Sequence, residues 1–162
     1  MADGPAPLKH VHIVPLAEQH VAPILAIEKA SNTAPWSEGS FRNELNHPDG
    51  VFLVLEGSAR PVGFAAGWVL ADELHVINIA VDPDYRRQGL GRKLMVELLL
   101  HAQEKGATCA TLEVRASNTA AIAMYEQLGF HSCGFRKKYY PDNREDAVIM
   151  WLYELDQWAD RQ

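Results

Sequence analysis

Cysteine is nearly absent from this chain: Cys109 and Cys133 are the only two in 162 residues. So few argue against a disulfide framework. The opening Met1 to Lys9, rich in Pro and Ala, lacks the basic start and apolar stretch of a secretory signal. The expectation is therefore two reduced, buried thiols in a cytoplasmic protein. Cys109 sits early in an apolar strand with no His at local spacing, which suits a packed thiol better than a covalent nucleophile. No apolar run approaches the roughly 20 residues of a membrane span, and no repeat of fixed period appears. The seven histidines form no His-x-x-x-His pair and no His/Cys cluster, so no metal is expected. Nor is any Ser/His/Asp set arranged as in a hydrolase. A surplus of basic charge is missing too: 15 Lys and Arg stand against 21 Asp and Glu, a net charge of −6. That balance argues against direct contact with nucleic acid and suits the steering of a basic protein or peptide to the surface.

What is present suffices for one core, since 48% of the residues are hydrophobic. The expected layout is a tail over residues 1–9, one domain over 10–155 and a second tail over 156–162. Val11 to Val14 reads as a short strand and Gln19 to Ala30 as an amphipathic helix. After Pro35, Ser37 is placed to cap a second helix that runs through about Leu45. Val51 to Leu55, Val62 to Leu70 and Leu74 to Val81 read as an antiparallel meander. From Gly89 the apolar period turns helical, up to a stop at Gly106. A buried strand, Thr108 to Val114, precedes a helix capped by Asn118 and ended by Gly129. Strands near Phe130 to Phe135 and Ala147 to Leu155 close the pattern. The class is α+β, a mixed sheet with helices around it rather than a regular βαβ repeat.

Between the strand ending at Val81 and the helix starting near Gly89 lies Arg86-Arg87-Gln88-Gly89-Leu90-Gly91-Arg92. A helix N-terminus offers unpaired N–H groups and partial positive charge, glycines let an anion approach the backbone, and arginines add charge-assisted bonds. Two commoner phosphate motifs fail on spacing. The third glycine of a dinucleotide fingerprint would fall at Leu94, and no Gly-Lys-Ser or Gly-Lys-Thr of a P-loop is present. Taken alone, Arg86-x-x-Gly89-x-Gly91 fits either a phosphate cradle or a plain helix start on a basic surface.

The same pattern resembles the coenzyme A pyrophosphate loop of the GCN5-related N-acetyltransferase (GNAT) family. Its surroundings extend the likeness: Asn78 to Pro83, Leu112 to Asn118, Ala121 to Phe130, the Pro35-Trp36-Ser37 turn, Tyr139-Tyr140-Pro141 and Arg144 to Ala147. In order and spacing it covers Val11 to Leu155, and it is strongest with the branch that acetylates the N-terminal alanine of ribosomal proteins. The resemblance implies a GNAT fold with a mixed, mostly antiparallel sheet of about seven strands. It implies acetyl-CoA as cosubstrate, bound by Ile79, Ala80, Val81, Arg86, Arg87, Gln88, Gly89, Leu90, Gly91, Arg92 and Asn118. It implies direct transfer, in a ternary complex, to the N-terminal segment of a basic protein such as a small-subunit ribosomal protein.

Acetyl transfer to an amine needs a base, because an α-amino group with a pKa of about 7.7–8.0 arrives mostly protonated. Glu113 shares a strand face with Thr111 and Arg115, so it reads from the residues as a carboxylate neutralised by Arg115, and from the resemblance as the general base. Tyr125 lies two helical turns after Asn118 and reads either as core packing or, by resemblance, as the acid that meets the departing thiolate. Trp36, Tyr139 and Tyr140 are loop-edge aromatics that the resemblance sets beside the acceptor. Two rival functions remain at this level: acetylation of a lysine or small amine, and a non-catalytic acyl-CoA-binding module.

Overall fold

The computed structural model describes residues 10–162, so the tail expected over 1–9 lies outside the described residues. The chain runs β1 (His12–Pro15), α1 (Val21–Ser31), α2 (Glu38–Glu44), β2 (Gly50–Glu56), β3 (Pro61–Leu70), β4 (Glu73–Val81), α3 (Leu90–Glu104), β5 (Cys109–Arg115), α4 (Thr119–Leu128), β6 (His131–Arg136) and β7 (Ala147–Leu152). Seven strands form one sheet in the order β1-β2-β3-β4-β5-β7-β6. β1–β2, β5–β7 and β6–β7 pair antiparallel, whereas β4–β5 pair parallel. A parallel pair needs a long crossover, and the stretch carrying α3 supplies it. The expected α+β class with a mixed, mostly antiparallel sheet is the architecture found. No helix among the described residues is long and apolar enough to cross a membrane.

Contacts divide the described residues into two compact units, 10–67 with Asn78–Leu98 and Trp68–Ile77 with Leu99–Gln162. In the first, an aromatic cluster is built on Phe41, whose ring lies 5.5 Å from Phe64 and 6.0 Å from Phe52. α1 begins two residues later than its apolar spacing suggests, because Glu18–His20 form a 3-10 turn ahead of it. The reason is His20. Its buried ring accepts the Ala17 N–H at Nδ1 (2.9 Å), so Nε2 carries the proton and donates to Glu56 Oε1 at 2.6 Å. Ser37 caps α2 as expected, its Oγ accepting the Ser40 N–H at 3.1 Å.

In the second unit, β5 is half-buried rather than buried throughout. Ala110, Leu112 and Val114 face the core, while Thr111, Glu113 and Arg115 point to the other face. The expected pair of buried thiols is also corrected: Cys133 is exposed on the outer strand β6 and Cys109 is only partly covered. Asn118 caps α4 through Oδ1 and the Ala121 N–H at 3.2 Å. Gly129 ends that helix at φ +108°, where a side chain would strain the backbone, and a Cβ there, 3.0 Å from Leu152 Cδ1, would also have to displace that methyl by a few tenths of an ångström.

β7 ends at Leu152, three residues short of the expected Leu155. Beyond it Glu154 takes a left-handed conformation and two 3-10 turns follow, over Leu155–Gln157 and Ala159–Arg161. The stretch expected as a tail from 156 is packed through Trp158, which is 2% exposed. Its Nε1–H donates to the carbonyl of Leu128 at 2.7 Å, answering one of the backbone acceptors that the end of α4 leaves over. Trp158→Ala is expected to cost about 3–5 kcal/mol of stability through the cavity it opens. Trp158→Phe, which keeps most of the packing but leaves that carbonyl without its donor, is expected to cost about 1–3 kcal/mol. Chemical denaturation checks both, and a Phe variant as stable as the parent would show the indole bond to be dispensable.

Candidate functional site

The strand end of the glycine-rich turn is fixed by Asp82. Its N–H donates to the carbonyl of Val62 at 2.7 Å, Oδ1 accepts the Asp84 N–H at 3.0 Å, and Oδ2 accepts Arg60 Nη1 at 2.8 Å. Pro83–Tyr85 then make one 3-10 turn, with the Arg60 guanidinium 5.6 Å from the Tyr85 ring centre. Arg86 folds back, Nε donating to the carbonyl of Val81 at 3.3 Å and Nη2 to Ser31 Oγ at 3.2 Å. It is thus an exposed strut for the turn, and Arg87, Gln88 and Arg92 are exposed as well. Arg87 and Gly89 take positive φ values of +63° and +74°, and the Gly89 carbonyl accepts the Lys93 N–H at 3.1 Å to start α3. Leu90 is buried and Gly91 half-buried, so both anchor the first turn. No atom lies within 4 Å of where a Cβ of Gly89 would stand. Open space beside a helix start flanked by exposed arginines fits the pyrophosphate of a coenzyme.

Immediately before this turn β4 carries Ile79, Ala80 and Val81. Its ladder with β5 is three pairs long, Glu73–Cys109 to His75–Thr111, while β4 itself runs on to Val81. Asn78 reaches from β4 to Glu28, its Nδ2 donating to Oε2 at 2.5 Å, and the Trp36 N–H donates to the same oxygen at 3.4 Å. Glu28 is 1% exposed. It ties the turn bearing Trp36 to β4, a role that sequence reasoning missed although Glu28 falls four residues after Ile24 on the buried stripe of α1. The Trp36 ring is half-buried and packs 5.3 Å from Phe41.

The second unit holds the remaining assigned residues. Glu113 projects from the uncovered face of β5, its side chain one-third exposed. Oε1 accepts Arg136 Nε at 3.0 Å and Oε2 accepts the Tyr139 hydroxyl at 3.2 Å. Arg115, which sequence offered as the neutraliser of Glu113, is committed elsewhere. It pairs with Asp142 at 2.8 Å and Glu145 at 3.3 Å, and its guanidinium lies 4.0 Å from the Tyr140 ring centre. In the sheet register Arg136 stands in one row with Ala147 and Arg115, while Glu113 is in the row of Ile149 and Gly134, so an arginine distant in sequence reaches Glu113 diagonally across β7. No local spacing could have revealed Arg136.

Glu145 also accepts the Ser117 N–H at 2.7 Å, and this bond, with its other partners, holds the carboxyl below its ordinary value. Arg115 thereby joins the loop carrying Tyr139 and Tyr140 to the residues that lead into α4. A groove of about 480 Å³ brings Glu113, Tyr139 and Tyr140 together with Thr111, Trp68, His75 and Ile77. Tyr125 is buried against Phe130, ring centres 5.8 Å apart, and that burial pushes its phenol up to about 12. Burial likewise lifts Tyr140 to about 12. Tyr139 is raised as well, by partial burial and then by the Glu113 charge. Burial and the nearby carboxylates of Glu73 and Asp72 push the Cys109 thiol up, which leaves little thiolate and agrees with its reading as a bystander.

Residues 21–130 match the family model described as Acetyltransferase (GNAT) family. The [ribosomal protein bS18]-alanine N-acetyltransferase of Escherichia coli strain K12 is 45% identical over 128 residues, which is 78% of this chain and 86% of that protein. The protein of the same name from Haemophilus ducreyi is 38% identical over 143 residues, 85% of this chain and 97% of its own length. The crystal structure of the ribosomal-protein-S18-alanine N-acetyltransferase from Escherichia coli superposes with a TM-score of 0.83 at 40% identity, covering 90% of this chain and 94% of that one. An open mixed sheet, a glycine-rich turn at the start of α3 and relatives of this closeness lead to one conclusion: the chain belongs to the acetyltransferase (GNAT) family.

Proposed function

We propose that this chain transfers the acetyl group of acetyl-CoA directly to the α-amino group of a protein N-terminus. The first acceptor to consider is the N-terminal alanine of ribosomal protein bS18, the substrate in the names of its relatives. A basic ribosomal protein complements the net charge of −6, and its synthesis places the reaction in the cytoplasm. The observation that carries the reading is Glu113: a carboxylate on the outward face of β5, hydrogen-bonded inside a groove lined by two tyrosines.

Acetyl-CoA, when bound, supplies the acetyl group as a thioester. Arg87, Gln88, Arg92 and the N–H groups of Gly89, Leu90 and Gly91 would hold its pyrophosphate, with Arg86 bracing the turn. The backbone of Ile79, Ala80 and Val81 would pair with the pantetheine arm like an added strand. Asn118 caps α4 and would contact the coenzyme from there. Trp36, Tyr139 and Tyr140 would flank the acceptor. Glu113 would take the proton of the attacking amine, directly or through one water.

Tyr125 would face the departing sulfur. Burial pushes its phenol from an ordinary value of about 10 up to about 12, so it stays protonated at neutral pH. A phenol kept protonated by burial would meet the departing sulfur as a donor, as the general acid that the family resemblance implies, with its hydrogen bond to the developing charge formed first.

Glu113→Gln is expected to lower kcat/KM by about 10²–10⁴-fold, measured with acetyl-CoA and a peptide beginning with alanine. Retention of full turnover would remove Glu113 as the base and favour a binding module. Tyr125→Phe is expected to reduce kcat by about 10²-fold or more. Because its phenol titrates near 12, the parent enzyme should show no Tyr125-dependent fall in kcat up to about pH 10. Matched peptides with free and blocked α-amines, the latter retaining one lysine, separate the two acceptor classes. A better rate on the blocked peptide would overturn the N-terminal assignment.

A further inference from the structure

Two arginines stand on the open face of the second unit, and their charges are balanced differently. Arg115 answers to two carboxylates, Asp142 at 2.8 Å and Glu145 at 3.3 Å. Arg136 answers to Glu113, its side chain 55% exposed and its Nε 3.0 Å from Oε1. It also opens the exposed run Arg136-Lys137-Lys138, which leads directly to Tyr139. The carboxylate meant to receive the amine proton thus has a guanidinium on one oxygen and a phenol on the other.

An acceptor that arrives as an ammonium must displace Arg136 or stand beside it as a second cation. An acceptor that arrives as a neutral amine does neither. At pH 7.5 about a third of α-amino groups are neutral, but only about one lysine side chain in a thousand. We propose that Arg136 is a specificity-determining residue: it occupies the counterion position on Glu113 and so selects the neutral α-amine of a protein N-terminus against the lysine ammonium. This rests on Glu113 being the base, which then takes the proton that the nitrogen of a neutral amine sheds after it has attacked the thioester carbon. The mechanism is exclusion by like charge, which costs the wrong acceptor more than it costs the right one.

The test compares kcat/KM for two peptides, one with a free N-terminal alanine and no lysine, the other with a blocked N-terminus and one lysine. In Arg136→Met the ratio of lysine to α-amine activity is expected to rise at least fivefold, and Arg136→Lys should keep the parent ratio. Loss of packing would lower both activities together, so it cannot imitate this result. The parent enzyme offers a second readout that needs no variant: the pair is exposed, and raising the salt should move the ratio in the same direction. An unchanged ratio in Arg136→Met, or an unchanged ratio in salt where that variant does not fold, overturns the proposal. Failure of the underlying reading looks different, because Glu113→Gln would then retain turnover whatever Arg136 does.

Discussion

The parallel pairing of β4 with β5 is the constraint on which the rest depends. Parallel neighbours cannot be joined by a tight turn, so the chain must leave β4, cross over and return. That departure creates the strand-to-helix turn at Asp82–Gly89, and the crossover helix α3 supplies the free N–H groups at its start. The pairing is also brief, ending at His75–Thr111 while β4 continues to Val81. One topological choice thus sets both the turn proposed to hold the pyrophosphate and the run of β4 backbone proposed to lie along the pantetheine arm.

Around this frame the polar groups are placed by strand alternation and by register. β5 turns Ala110, Leu112 and Val114 inward and leaves Thr111, Glu113 and Arg115 outside, so chemistry and packing share one strand. The antiparallel β5–β7–β6 ladder then brings Arg136 to Glu113 and frees Arg115 to organise the Tyr139–Glu145 loop. Interchanging the partners of two arginines changes the electrostatics of the groove without changing its composition. A guanidinium on the proposed base is a specificity device, whereas one that only braces a loop is not.

Burial decides how Tyr125 can act. A phenol in water and a thiol lie close enough in acidity for proton exchange, but the packing of α4 against Phe130 removes the solvent that would stabilise the phenolate. The hydroxyl stays protonated and remains a donor. Glu28 presents the complementary case, a carboxylate kept in the interior by two N–H donors that join α1, the Trp36 turn and β4.

Much of this was legible in the chain itself. Caps at Ser37 and Asn118, the left-handed stop at Gly129 and the turn around Gly89 follow from local backbone chemistry, which a few adjacent residues determine. Family membership and the mixed sheet followed from motif order. Other features depend on residues distant in sequence. The start of α1 was displaced by a histidine bound to Glu56, and the end of the chain was anchored by Trp158 on a carbonyl of α4. Cys133 fell on an exposed outer strand, and Arg136 crossed a neighbouring strand to reach Glu113. Sequence determined which chemical groups were available and where the backbone would turn. Tertiary structure alone decided which groups met, because hydrogen bonds and ion pairs act over about 3 Å, a distance that separation along the chain does not encode.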